Sequence, residues 1–178
     1  MQDQETTELP KTQEELDTEL ESYLARLPTE DQENLRSIAK NFPRVLNKNG
    51  RKGVLKVVGG TIDQPLPRKD IDLTFQMDPN DNDPKRDDFM TYLEYAQSRF
   101  KIFKEIVEEI AGDHTLFSIS LEDVIEPGID EEFQSTSILK TDGSITIKPK
   151  KGTPIEIIRK PENSDRIETR PYIVLKAA

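Results

Sequence analysis

The chain has 178 residues, of which 33% are hydrophobic and 34% are charged, and its formal net charge is −10 at pH 7. Globular chains usually contain about 45–50% apolar residues, so these values predict one domain with a small core under a strongly solvated surface. The absence of cysteine excludes a disulfide framework, a thiolate nucleophile and a cysteine-based zinc site. A single histidine, His114, argues against a multi-histidine metal site or a Ser-His-Asp triad. Carboxylate and hydroxyl chemistry with oxygen-binding metals remains, as does binding without catalysis.

The negative charge is concentrated at the N-terminus. Residues 1–30 contain nine acidic and two basic residues, which gives −7 and leaves only −3 for residues 31–178. We therefore expect an acidic segment suited to docking on a basic protein partner, and a chain that binds nucleic-acid backbones poorly. No apolar run reaches the roughly 20 residues of a membrane span, and the first residues lack the basic-then-apolar layout of a secretory signal. A soluble, cytoplasmic protein without membrane contact is expected.

Two helices are predicted at the start of the chain. Thr12 and Glu15 form a capping-box pattern, and leucines at helical spacing follow it. A second helix is predicted to extend to the Asn-Gly pair that ends at Gly50, with Pro43 interrupting or kinking it. Residues 1–50 are therefore predicted to be an acidic helical segment.

The rest of the chain predicts strands and one long helix. Strands over 53–58 and 70–75 precede a helix over 86–111, whose apolar stripe includes Phe89 and is predicted to be buried. Alternating patterns then predict a mostly β C-terminal half, with strands near 117–121, 145–147, 155–158 and 172–175. The predicted fold class is α+β, a mixed sheet backed by helices with an N-terminal helical appendage.

A glycine pair and a carboxylate pair flank a short loop. Gly59 and Gly60 end a predicted strand, where backbone N–H groups can approach a phosphate closely, and Thr61 can add a hydroxyl donor. Asp70 and Asp72 are two residues apart on the next strand, so their side chains share one face. Two crowded carboxylates repel unless a cation lies between them. Mg²⁺ is the usual cation, because it binds carboxylate oxygens and a triphosphate together.

These residues resemble the motif of the nucleotidyltransferase superfamily, which has the DNA polymerase β-like fold. The matching segments are Val-Gly-Gly-Thr at 58–61 and Asp-Ile-Asp at 70–72. The family has a third carboxylate on a later strand between hydrophobic residues, and Glu156 in an Ile-Glu-Ile triplet is similar to it. The Gly-Gly-Thr form with a glutamate most resembles the abortive-infection (AbiEii-like) toxin branch. The resemblance covers residues 53–160.

The resemblance implies transfer of a nucleoside monophosphate from a nucleoside triphosphate such as ATP to an acceptor hydroxyl of RNA, protein or a small molecule. It implies one or two Mg²⁺ ions held by three carboxylates, those of Asp70, Asp72 and Glu156. Residues 59–61 would bind the phosphates. Many members have Arg-x-Ser before the first aspartate. Here Arg68 and Lys69 precede Asp70, so Lys69 stands in place of the serine. The lysine would contact phosphate, or pair with the carboxylates in place of a metal.

The sequence leaves alternatives open. Glu122 follows a predicted strand and competes with Glu156 as the third carboxylate, although only Glu156 has hydrophobic neighbours on both sides. Inactive members share the fold, so the alternative function is a non-catalytic module that binds nucleotide or protein, for example as a toxin–antitoxin or complex subunit. No helical domain is predicted after the last strand. Residues 51–178 are therefore predicted to be a minimal nucleotidyltransferase domain.

Overall fold

The fold is described here from a computed structural model, which covers residues 10–63, 69–77, 89, 91–112, 116–119, 124–128, 143–160 and 171–178. In chain order these residues form α1 (Gln13–Leu24), α2 (Thr29–Lys48), β1 (Gly53–Val58), β2 (Ile71–Met77), α3 (Tyr92–Ile110), β3 (Phe117–Ile119), β4 (Ser144–Pro149), β5 (Ile155–Lys160) and β6 (Ile173–Ala177). Among the helices in these ranges, none is both long and apolar enough to cross a membrane.

The strands form one mixed sheet in the order β3-β4-β5-β2-β1-β6. Strands β3, β4 and β5 form an antiparallel meander, β1 pairs antiparallel with β2, and β6 pairs antiparallel with β1 at the other end of the sheet. Among the described strands, the single parallel pairing joins β2 to β5 at the centre of the sheet. The predicted α+β class with a mixed sheet is confirmed.

Helices α2 and α3 pack on the same face of the sheet. The Phe75 ring of β2 lies edge-on to Phe42 of α2, with centroids 5.5 Å apart, and stacks on Phe103 of α3 at 5.6 Å. All three rings are fully buried. Because successive side chains of a strand alternate between faces, Asp72 lies on the face opposite these rings.

The N-terminal helices share this core. Tyr23 and Leu24 of α1 and Leu35 of α2 belong to the same buried cluster as the sheet residues, and both helices contact β6. Part of the negative charge of α1 is paired, since Arg36 of α2 binds the Glu21 carboxylate through two hydrogen bonds. The helices thus pack on the sheet, while the domain boundary at residue 50 and the docking of a protein partner on the acidic segment stay predictions.

The capping box that opens α1 is confirmed. The Thr12 hydroxyl accepts a hydrogen bond from the Glu15 amide, and the Glu15 carboxylate accepts one from the Thr12 amide. Pro43 does not interrupt α2, which continues through it to Lys48, and the predicted end at the Asn-Gly pair is confirmed. A kink at the proline, the other predicted alternative, stays a prediction. Beyond the proline, Val45 and Leu46 are buried in the core. Their burial offsets the loss of one backbone hydrogen bond.

The predicted burial of Phe89 is wrong. The structure places Thr91 at the N-cap of α3, so this helix begins at Tyr92 rather than at residue 86. Phe89 therefore precedes the helix, and 94% of it is exposed. The sequence carries the signal for this start, since Thr91 and Glu94 form a capping box like that of α1. The apolar spacing continues N-terminal to Thr91, but the helix does not.

Candidate metal centre

Three carboxylates meet where β2 and β5 run side by side. Asp70 directly precedes β2 and Asp72 is its second residue. In the parallel pairing, Asp72 lies opposite Glu156 of β5. Residues paired across neighbouring strands project their side chains to the same face of a sheet. The register therefore places all three carboxylates on the face opposite the helices.

The three side chains are close enough to share a cation. One carboxylate oxygen from each of Asp70, Asp72 and Glu156 lies within 4.8 Å of the other two, and all three residues are half-buried. Like charges at this separation repel, and a cation between them removes the repulsion. Carboxylate oxygens are the preferred ligands of hard divalent ions such as Mg²⁺. The residues therefore fit a divalent ion, and its identity as Mg²⁺ stays a prediction.

Gly59 packs against this cluster. It follows β1, whose last residue, Val58, lies opposite Asp72. The Gly59 backbone has a φ of +80°, and a Cβ atom there would lie only 2.6 Å from Asp72 Oδ2. Glycine is thus required both by the left-handed backbone and by the close approach of the carboxylate. The turn predicted to bind phosphate directly adjoins the carboxylates, while phosphate binding by Gly59 and Gly60 stays a prediction.

Thr61 lies on the buried side of the same turn. Its side chain is 3% exposed, and its hydroxyl forms a 3.0 Å hydrogen bond with the phenol of Tyr23, which is fully buried. The hydroxyl thus links the turn to α1, and its contact with a phosphate stays a prediction. Sequence reasoning missed Tyr23, because an aromatic residue on the apolar side of a helix is indistinguishable from ordinary core.

The surroundings of Tyr23 raise the pKa of its phenol. Burial is the main cause, and the negative charges of Asp31 and Asp72 add to it, while the hydrogen bond to Thr61 and the charge of Arg26 act in the opposite direction. The phenol is therefore protonated at neutral pH and remains available for hydrogen bonding. The influence of Asp72 also means that Tyr23 lies within electrostatic reach of the carboxylate cluster.

Arg26, which follows the C-cap of α1, provides a second link to the turn. Its guanidinium donates a 2.8 Å hydrogen bond to the Ile62 carbonyl and lies 5.6 Å from the centre of the Tyr23 ring. A guanidinium over an aromatic face adds a cation–π attraction to the hydrogen bond. Tyr23 at the end of α1 and Arg26 just after it therefore hold both residues that follow the glycine pair.

Lys69 directly precedes Asp70. Its side chain is exposed, and no ion pair among the described residues joins it to the three carboxylates. Its pairing with the aspartates in place of a metal, and its contact with phosphate, stay predictions. Arg68 and Glu122 lie outside the described residues, so the contact of Arg68 with phosphate and the rivalry between Glu122 and Glu156 stay predictions. Glu156 itself does join the cluster.

Comparisons of the chain with protein-family models, with curated proteins and with solved structures find no match. The residues of the site itself are therefore the basis for inferring a function.

Proposed function

We propose that this chain is a Mg²⁺-dependent nucleotidyltransferase, which transfers a nucleoside monophosphate from a nucleoside triphosphate to an acceptor hydroxyl. The observation that carries the proposal is the meeting of Asp70, Asp72 and Glu156 within 4.8 Å. A second feature supports it, since the left-handed Gly59 turn lies directly against Asp72. A carboxylate cluster beside a glycine pair, which has no side chains to exclude a phosphate, is suited to holding a metal-bound triphosphate.

The chemistry follows from charge. A divalent ion held by the three carboxylates would neutralise charge on the phosphates and lower the pKa of the acceptor hydroxyl. The acceptor hydroxyl loses its proton to solvent, its oxygen forms a bond to the α-phosphorus while the bond to the pyrophosphate oxygen breaks, and pyrophosphate leaves in line with the bonding electron pair. In this chain, Gly59 and Gly60 carry no side chain that would block a phosphate beside Asp72, and we expect their backbone N–H groups to donate to it. Asp70, Asp72 and Glu156 orient the reacting groups.

Label transfer tests the proposal. The chain is incubated with each nucleoside triphosphate labelled at the α-phosphate, with Mg²⁺ and with RNA and protein acceptors. We expect label on an acceptor, and we expect Asp72→Asn to abolish it, because one ligand of the ion is lost. Glu109→Gln is the matched control, since this carboxylate is exposed on α3 and bonds only Lys48 among the described residues.

Two results would contradict the proposal. If none of the four triphosphates is transferred and none raises the melting temperature with Mg²⁺ present, the chain does not use this chemistry. If a triphosphate raises the melting temperature of the original chain but not of Asp72→Asn, and no label moves, the site binds nucleotide without transferring it. That second outcome would identify the non-catalytic binding module and overturn the transferase.

A further inference from the structure

Asp31 is a buried carboxylate outside the candidate metal centre. It lies in the first turn of α2 and is 2% exposed. Its two oxygens accept hydrogen bonds from the backbone amide of Thr153, at 2.6 Å, and from the Thr153 hydroxyl, at 3.0 Å. A buried carboxylate is costly unless such bonds satisfy it. Asp31 is therefore bound to the turn between β4 and β5.

Asn34 binds the same turn one helical turn later. Its side-chain amide donates a 2.7 Å hydrogen bond to the Lys151 carbonyl. Between the two anchored residues is Gly152, with a φ of +110°, where a Cβ atom would lie 2.6 Å from Asp31 Oδ1 and 2.8 Å from Asn34 Nδ2. Residues three apart share one face of a helix, so Asp31 and Asn34 hold the turn from one side.

This turn leads directly into the candidate metal centre. Thr153 is three residues before Glu156, and the carbonyl of the intervening Pro154 accepts a 2.9 Å hydrogen bond from the Ile71 amide. Ile71 is the residue between Asp70 and Asp72. The backbone that Asp31 and Asn34 hold is thus bonded to both chain segments that carry the carboxylates.

We propose that Asp31 and Asn34 are positioning residues, which hold the β4–β5 turn so that the carboxylates of β2 and β5 share one divalent ion. The inference rests on the metal centre of the proposed function. Neither residue is assigned as a ligand of the ion. They contact the turn and not the ion, and holding the turn limits how far the three mutually repelling carboxylates can move apart. An outer partner bonded directly to a metal ligand is typically worth roughly 10–100-fold in metal affinity, and Asp31 and Asn34 act one step further out, so we expect an effect at the lower end of that range.

Binding of Mn²⁺ tests the inference on the full-length chain, with free Mn²⁺ measured by its electron paramagnetic resonance signal. Asn34→Ala and Thr153→Val each remove one anchor, and we expect about tenfold weaker Mn²⁺ binding in both. Thr153→Ser retains the hydroxyl and is expected to restore the original affinity. Asp31→Asn alters a buried carboxylate and is the more severe change. If this variant does not fold, Asn34→Ala and Thr153→Val still test the inference.

Asn41→Ala is the matched control. Asn41 is also on α2, but its side-chain amide bonds the Ile110 carbonyl at the end of α3, at 3.1 Å, rather than the β4–β5 turn. Asn41→Ala therefore loses a side-chain-to-carbonyl hydrogen bond, as Asn34→Ala does, but at another site. Its Mn²⁺ affinity should equal that of the original chain. An equal weakening in Asn41→Ala and Asn34→Ala would show a general effect of stability and overturn the inference.

The test separates this inference from the proposed function. If the original chain binds Mn²⁺, Asp72→Asn does not, and Asn34→Ala and Thr153→Val bind as tightly as the original, the positioning role is wrong and the metal centre stands. If the original chain and Asp72→Asn bind Mn²⁺ alike, the metal centre fails and the positioning role fails with it. Weaker Mn²⁺ binding in Asn34→Ala and Thr153→Val, with the original affinity kept in Thr153→Ser, supports both the metal centre and the positioning role.

Discussion

The phenol of Tyr23 and the hydroxyl of Thr61 share a buried hydrogen bond 3.0 Å long, which joins α1 to the turn after β1. The bond spans 38 residues of sequence. It fastens the turn next to Gly59, whose backbone in turn lies against the Asp72 carboxylate. Together with the bond from Arg26 to the Ile62 carbonyl, it makes α1 a support of the candidate site.

Tyr23→Phe should lower the free energy of unfolding by about 1–2 kcal/mol, because the buried Thr61 hydroxyl loses its partner. Urea unfolding measures this change. Thr61→Val should have a similar effect. The double variant should lose less stability than the two single variants added together, since the two groups form one bond. Tyr172→Phe is the control, because Tyr172 is exposed. Additive losses in the double variant would contradict the hydrogen bond.

The raised pKa of Tyr23 predicts a loss of stability at high pH. Its pKa lies above the ordinary value of 10.0 because burial disfavours the phenolate. The folded chain then retains the phenol proton where the unfolded chain releases it, so stability is complete below pH 10 and falls as pH rises toward the raised pKa. Urea unfolding between about pH 8 and 11 should show that the free energy of unfolding falls more steeply with pH in the original chain than in Tyr23→Phe.

Absorbance at 295 nm gives an independent check of that pKa. The chain has four tyrosines, and an ionisation step displaced above pH 10 should be missing from the titration of Tyr23→Phe. A titration in which that step survives this substitution would show that another tyrosine carries the raised pKa.

Gly59→Ala should impair both folding and metal binding. The left-handed backbone disfavours alanine by about 1–2 kcal/mol, and the new methyl group would displace the Asp72 carboxylate. We expect a lower melting temperature and a smaller stabilisation by Mg²⁺. Gly128→Ala is the matched control, since a Cβ atom there meets nothing within 4 Å. If the two variants respond to Mg²⁺ in the same way, the position of Gly59 does not matter to the site.

Glu156→Gln should have opposite effects with and without metal. In a chelator, removing one of three neighbouring charges relieves repulsion and should raise stability by up to about 1 kcal/mol at low salt. With Mg²⁺, the original chain gains stability by mass action and the variant gains less, so their order reverses. Thermal melting in chelator and across a Mg²⁺ titration measures both effects. A variant that is less stable in chelator and equally stabilised by Mg²⁺ would contradict the shared ion.

Local sequence patterns predicted most of the elements. The capping box of Thr12 and Glu15 opens α1, and alternating residues place β1, β2, β4 and β5 close to their predicted positions. The spacing of Asp70 and Asp72 placed both carboxylates on one face, as the cluster confirms. The wrong prediction at Phe89 also has a local cause, because the apolar spacing continues N-terminal to Thr91, whose capping box begins the helix.

Other features required the tertiary structure. Asp31 at a helix start is typical of an exposed residue that favours the helix dipole, yet it is buried against the β4–β5 turn. Tyr23 is typical of plain core, yet its hydroxyl anchors the glycine turn. Both roles depend on partners far along the chain, and residue type alone does not identify such partners.

The sequence by itself determined an acidic, cysteine-free chain with an α+β fold and a carboxylate pair beside a glycine pair, because composition and short-range periodicity are local properties. Only the tertiary structure decided that Glu156 lies opposite Asp72 and that α1 and α2 hold the two turns of the site. The parallel register of β2 and β5 is set by packing between segments about 80 residues apart, and the energies of such packing are distributed over the whole core.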